Sequence, residues 1–179
     1  NLLAYVQNWI ARKAAHTRNV HIINLLKTLT PQALADVKAI NTVLNVGLDP
    51  AISLSSIILT NQDGFNWLDN QVDGMGRPIL QEDITQPGRK LFKGRQIVVA
   101  SNRHLPSDTV NNKAPMIIGN LKQFMVLFNR RFFELASTRE GGDAWRRDTT
   151  ELRTIMRDDY VMWDSAAAVF GEIDLTPTP

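Results

Sequence analysis

Residues with helical spacing fill the first third of this chain, and short β-favouring runs fill the rest. Leu3, Val6, Ile10 and Ala14 recur every three or four residues, as on the apolar face of an amphipathic helix. From residue 79 onward the apolar runs are short and are separated by Gly, Pro, Asn and Ser. This segregation predicts an α+β fold and argues against the βαβ alternation of a doubly wound sheet.

Local signals divide the first 80 residues further. Residues 20–29 form a short apolar stretch that we expect to be buried. Thr30-Pro31 is typical of an N-cap followed by proline at the first helical position, so it predicts a second helix from Pro31. Residues 56–60 favour a strand, and Asn61 can cap a helix that follows it. The two glycines and the proline of residues 73–78 predict a turn.

The second half is expected to consist mainly of strands. They are centred on residues 79–80, 96–99, 116–118, 124–128, 152–163 and 167–173. Residues 152–157 also allow a helix, but the alternation through Tyr160 and Met162 favours extended pairing. The proline-rich tail, residues 176–179, is expected to be disordered.

Charge occurs in blocks of alternating sign. Residues 1–35 carry four basic and no acidic side chains, and residues 36–83 carry seven acidic against two basic ones. Residues 84–107 carry five basic and no acidic side chains, and residues 108–179 carry eleven acidic and nine basic ones. Such blocks suit a surface that contacts copies of itself head to tail. The alternative, more frequent in proteins, is that they are solvated faces.

The sequence indicates no catalytic residue, cofactor or metal ligand. His16, His21 and His104 have no carboxylate at metal-ligand spacing, and the chain has no cysteine. Residues 73–76 begin like a phosphate loop, but Ile79 stands where the third glycine of the dinucleotide pattern belongs. No segment reaches the roughly 20 consecutive apolar residues of a membrane span. We therefore expect neither an enzyme nor a membrane protein.

Two segments are candidates for an interface. Tryptophan and paired arginines, after two glycines at 141–142, suit either stacking and phosphate contacts with nucleic acid or a protein–protein contact. Protein contact is favoured, because Trp and Arg are enriched in interface hot spots. The basic block at 84–107 supplies the second segment. The candidate interface residues are Trp145, Arg146, Arg147, Arg89, Lys90 and Lys93.

Four segments in order carry a resemblance to a known family. Residues 57–80 resemble the strand, helix and D-x-x-G-R-P-L/I-L turn of tailed-phage major capsid proteins with the HK97 fold. Residues 91–99 are similar to the family's L-x-G-x-P-V strand, with Gln96 where proline is usual. The other two segments, 114–121 and 153–170, are similar to its P-x-x-x-G-D-L/F turn, with asparagine in place of aspartate, and to its closing strands.

The resemblance implies a peripheral domain with a long helix and a β-rich axial domain. We expect residues 1–80 to hold mainly peripheral-domain helices and the start of the axial domain, and residues 81–145 to be mainly axial. Residues 146–175 would be closing strands that return to the peripheral domain. Because the chain begins with Asn1, we expect the family's N-terminal arm and extended hairpin to lie upstream.

The function implied by the resemblance is that of a viral structural protein of a bacteriophage or prophage. Its copies would self-assemble into hexamers and pentamers of an icosahedral virion shell, with packaged double-stranded DNA held non-specifically inside. Scaffolding and portal proteins would be further partners, and assembly would take place in the bacterial cytoplasm. The alternatives are an encapsulin-like shell, a nucleic-acid-binding module that uses residues 84–107, and an unrecognised hydrolase. The lysine–asparagine crosslinks of some members are not expected, since Asp148 stands near the asparagine's place.

Overall fold

The computed structural model describes residues 2–176 and divides into two compact units. The helix–strand unit comprises the residues up to 21 and residues 126–161, and the sheet unit comprises residues 22–125 and those from 162 onward. The side chain of Leu3, on the expected helical face, and the tail beyond Thr176 lie outside the described residues. The domain roles expected for residues 1–80, 81–145 and 146–175 stay a prediction.

Helices and strands occur in the proportions of an α+β protein. The helices are α1 (Leu2–Leu26), α2 (Val37–Thr42), α3 (Pro50–Leu54), α4 (Gln62–Asp69), α5 (Leu121–Phe124) and α6 (Ala144–Arg147). The strands are β1 (Gln32–Leu34), β2 (Ile57–Asn61), β3 (Gln81–Glu82), β4 (Lys90–Phe92), β5 (Arg95–Ala100), β6 (Lys113–Gly119), β7 (Met125–Thr138), β8 (Glu151–Met162) and β9 (Ala168–Asp174). A π-helical turn, Val43–Gly47, continues α2, and a 3-10 turn, Ser165–Ala167, precedes β9.

The sheet unit is built on a mixed sheet with the strand order β1-β9-β6-β2-β5-β4-β3. Its central strands carry apolar residues on both faces. Ile58 and Ile118 belong to one core cluster, whereas Leu59, Ile117 and Phe170 belong to the other. Successive side chains of a strand point to opposite faces, so both faces of this sheet are covered. That is why the central strands are continuous apolar runs in the sequence.

Two local expectations in the sheet unit are confirmed. Asn61 ends β2, and its side-chain oxygen accepts the backbone N–H of Gly64 at 2.8 Å, which caps α4. In the predicted turn, the Asp73 carboxylate accepts the backbone N–H of Arg77 at 3.0 Å, and Gly76 has φ = 77°. Glycine adopts that conformation at little cost, because it has no Cβ.

The predicted second helix is wrong in its starting point. Residues 32–34 form β1 instead, which pairs in parallel with β9 through registers such as Leu34 to Ile173. Leu34 is buried there, and α2 begins only after Asp36, whose carboxylate accepts the N–H of Ala39 at 2.7 Å. The proline signal was outweighed by pairing with a strand about 140 residues away in the sequence, a non-local effect that overrides propensity. The apolar stretch at residues 20–29 is largely buried, as expected: Ile23 and Leu26 belong to a core cluster, against which Leu25 and Leu29 pack. Its first part is helical, because α1 continues to Leu26.

The helix–strand unit consists of residues of α1, the two-stranded sheet of β7 and β8, and α6 between these strands. Val6, Ile10 and Ala14 of α1 are each partly buried, in line with the expected apolar face. Residues 151–162 form a strand, so the preference for extended pairing over a helix is confirmed. Much of β7 is exposed to solvent along its 14 residues.

Candidate interface surfaces

The helix–strand unit contains an open groove of about 810 Å³. Thr17, Arg18 and His21 line it from α1, and residues 128–130 and 156–160 line it from β7 and β8. No local sequence pattern indicates this groove, because its walls are far apart in the chain.

Arg18 and Asp158, which both line the groove, form a salt bridge. The Arg18 Nε atom donates to Asp158 Oδ2 at 2.5 Å, and the two side chains are only 31% and 11% exposed. For comparison, the side chains of the Arg131–Glu134 pair on β7 are 46% and 54% exposed. A partly buried pair is less screened by solvent than an exposed one. Arg18–Asp158 therefore holds α1 against β8.

We expect Asp158→Asn to lower the unfolding free energy of the helix–strand unit by about 1–3 kcal/mol, because Arg18 would keep a partly buried charge without its partner. Hydrogen exchange of the β8 amides measures this loss. Glu134→Gln, which breaks the exposed pair, is the control and should change exchange little. Equal effects of the two substitutions would show that the Arg18 pair has no special structural role.

Aromatic and aliphatic side chains are exposed along β7. Leu127, Phe128, Phe132 and Phe133 are at least a third exposed, and Phe132 is 78% exposed. Exposed apolar side chains in such numbers suit an interaction surface, and two-stranded sheets gain stability from packing partners. The three phenylalanines within residues 128–133 are the signal for this surface in the sequence.

The Trp145 segment lies on α6, between β7 and β8. Trp145 is 78% exposed, and Arg146 and Arg147 are also exposed. Arg147 approaches Asp143 at 3.7 Å, and Asp148 ends the helix in a left-handed conformation with φ = 49°. A short helix with a largely exposed tryptophan suits contact with a partner.

Arg89, Lys90 and Lys93 lie around β4 in the sheet unit. Arg89 and Lys93 are exposed, whereas Lys90 is partly buried and forms a salt bridge with Asp69. Lys93 has φ = 50° in the turn that joins β4 to β5. These residues and the Trp145 segment belong to different compact units. Their interface role stays a prediction.

Arg95, in the same basic block, has a structural role that its sequence neighbours do not indicate. Its guanidinium donates to the Ser53 carbonyl at 3.1 Å, to Ser53 Oγ at 2.8 Å and to Ser56 Oγ at 3.1 Å. Both serines are buried. With Lys90 paired and Arg95 engaged, the block presents fewer available cations than its composition suggests, which weakens it as a nucleic-acid site.

Ionisable and hydroxyl side chains also form a polar cluster at the start of α4. Asp63 accepts hydrogen bonds from Ser107 Oγ at 2.5 Å and from Asn102 Nδ2 at 3.0 Å, and Asn61 donates to Ser107 Oγ at 2.6 Å. The Asp63 carboxylate oxygens are thus engaged in holding the loop after β5. The cluster fixes a loop and does not present an activated nucleophile.

Within residues 2–176, no helix is long and apolar enough to cross a membrane. In the same part of the chain, no three His, Cys, Asp or Glu side chains converge as metal ligands.

The sequence was compared with models of known protein families. The model of the phage capsid family matches residues 1–173. The chain belongs to the phage capsid family. No curated protein matches the sequence.

This member of the phage capsid family is similar in fold to solved capsid structures. It is similar to the capsid protein of an empty GTA particle, with a TM-score of 0.71 and 14% identity over 95% of the chain. It is also similar to a structure from Mycobacterium phage Che8, with a TM-score of 0.61 and 14% identity over 99% of the chain. The chain spans 65% of the length of each. The expected HK97-like α+β fold is confirmed.

Proposed function

We propose that this chain is part of a phage or prophage major capsid protein, which assembles with copies of itself into hexamers and pentamers of a closed shell around double-stranded DNA. The observation that carries the proposal is the family match over residues 1–173. The likeness to a capsid structure over 95% of the chain supports it.

The exposed surfaces suit assembly. A closed shell needs the same contacts repeated between copies, and each contact gains from apolar burial and charge register. The helix–strand unit offers exposed aromatic residues on β7 and at Trp145. The long helix belongs to the peripheral domain in the resembling family, so we assign that role to the helix–strand unit and the axial role to the sheet unit. This assignment differs from the bounds expected from the sequence, because it places residues 22–80 in the axial domain and residues 126–145 in the peripheral domain.

The proposal extends to location and partners. The protein carries out no chemical conversion, is assembled in the bacterial cytoplasm and becomes part of the virion. Scaffolding and portal proteins take part in assembly, and packaged DNA contacts the inner face without sequence preference.

Electron microscopy of the complete gene product, expressed with its neighbouring assembly genes, tests the function. Closed, regular particles that package DNA are expected. Particles filled with a protein cargo would favour an encapsulin-like shell instead. A soluble protein that forms no particles, and whose DNA binding falls steeply with rising salt, would favour the nucleic-acid-binding module.

We expect Trp145→Ala or Arg146→Glu to impair capsomer formation in the complete subunit while leaving its monomer folded, because both side chains are exposed. Native gels and electron microscopy report assembly, and circular dichroism reports folding. Arg12→Glu is the matched control, since it reverses an exposed arginine on α1 that lies outside both candidate interface segments. Normal particles from the Trp145 variant would remove this segment from the interface.

A further inference from the structure

The groove of the helix–strand unit has an apolar wall and is lined by more arginines than carboxylates. Its charged lining residues are Arg18, Arg130, Arg157, Asp158 and Asp159, of which Arg18 and Asp158 pair with each other. Arg130 and Arg157 line it, are exposed, and form no salt bridge with any residue that the structure describes. Phe128, which is 53% exposed, and the partly buried Tyr160 contribute apolar surface. The groove volume, about 810 Å³, lies in the range of binding clefts. Its chemistry calls for an occupant that carries carboxylates beside an apolar side chain.

The turn after β3 in the sheet unit has that chemistry. Ile84 is 99% exposed and follows two carboxylates, Glu82 and Asp83. The backbone N–H and the hydroxyl of Thr85 donate to Asp83 Oδ1 at 2.9 and 2.5 Å, and the N–H of Asp83 donates to the Arg89 carbonyl at 3.0 Å. These bonds hold the turn in one conformation, so that presenting Ile84 costs little ordering entropy.

Hydrogen bonding also favours the charged form of Asp83. The hydrogen bonds from Thr85 lower the pKa of the Asp83 carboxyl below its ordinary value. Glu82 is exposed and forms no salt bridge within residues 2–176.

We propose that the Glu82–Ile84 turn of one subunit binds in the groove of a neighbouring subunit, with Ile84 against Phe128 and the two carboxylates facing Arg130 and Arg157. The inference rests on the proposed shell function and names one of its contacts. Two different surfaces of the same chain meet, so the contact is heterologous and can close a ring of subunits.

A second copy is the occupant that the charges favour. The turn around Val110 is also exposed, but it offers a single carboxylate, Asp108, beside its apolar side chain. The Ile84 turn presents two carboxylates, and the groove offers two arginines outside the Arg18–Asp158 pair.

Disulfide trapping tests the contact, because the chain has no cysteine of its own. In the complete subunit, Ile84→Cys is combined with Phe128→Cys, and separately with Arg157→Cys. Assembled particles are oxidised mildly and run on a non-reducing gel. For at least one pair we expect most of the subunit band to shift to dimers and larger oligomers, since a disulfide requires the two Cα atoms to lie within about 7 Å. Val110→Cys with Phe128→Cys is the matched control and should stay monomeric.

A charge exchange provides a second measurement. Arg157→Glu should reduce particle yield, and adding Glu82→Arg in the same subunit should restore it. If the cysteine variants form normal particles but neither Ile84 pair forms a disulfide, the contact is wrong and the shell function is unaffected. The same holds if only the Val110 pair forms a disulfide. A single cysteine at position 157 that a thiol reagent cannot label in particles, together with no disulfide to position 84, would show that a segment other than the Ile84 turn occupies the groove. If the unsubstituted subunit forms no particles, the proposed function itself fails.

Discussion

Gly119→Ala is expected to destabilise the sheet unit by about 3–5 kcal/mol, a large part of the stability of a typical domain. Gly119 ends β6 and is paired with Ile57 on one side and Ala168 on the other. A Cβ atom there would lie 2.3 Å from the Ala167 carbonyl oxygen and 2.5 Å from the Ala168 Cα. Both are backbone atoms between paired strands, so neither can move without breaking strand pairing. The φ of 158° adds strain for any side chain.

Urea unfolding followed by circular dichroism measures this loss. Gly74→Ala is the matched control, because a Cβ at Gly74 meets nothing within 4 Å. That variant should unfold within about 0.5 kcal/mol of the unsubstituted chain. If Gly119→Ala unfolds at the same urea concentration as Gly74→Ala, β6 and β9 do not pack closely enough at Gly119 to exclude a side chain.

Asn61→Leu is expected to cost about 2–4 kcal/mol, because one buried amide serves two elements. Its oxygen accepts the Gly64 N–H at 2.8 Å, and its nitrogen donates to the Leu105 carbonyl at 3.1 Å and to Ser107 Oγ at 2.6 Å. Asn61 is fully buried, so leucine would leave these groups unpaired and away from water. The cap of α4 and the loop after β5 should both loosen.

Hydrogen exchange distinguishes the two consequences, since the amides of α4 and of residues 101–107 can be followed separately. Asn70→Ala, at the exposed end of the same helix, is the control and should leave both segments protected. Asn61→Asp should retain part of the cap, because a carboxylate can still accept from Gly64, but should release the loop. Unchanged protection in Asn61→Leu would contradict the role assigned to this amide.

Several elements were predictable because their signals are local. The run at residues 56–60, the capping asparagine after it and the turn at residues 73–78 carry their structure in a few neighbouring residues. The buried central strands were recognisable from continuous apolar runs, since a sheet covered on both faces needs them. The order of these segments was also enough to resemble the phage capsid family, to which the chain belongs.

Other features depend on residues that are distant in the chain. The strand at residues 32–34 exists because β9 lies beside it, and Arg95 looked like one cation of a basic block until Ser53 and Ser56 were found against its guanidinium. The groove is similar: Arg18 and Asp158 are 140 residues apart, and neither segment alone indicates that they meet.

The α+β class, most strands of the second half and the family can be read from the amino acids alone, because backbone propensity and apolar periodicity act over a few residues. Three-dimensional packing was needed to locate the edge strand and to separate the charges that are paired inside the fold from those that remain on the surface. Those outcomes depend on strand pairing and burial between segments far apart in sequence, and the free energy of such contacts is not encoded in either segment alone.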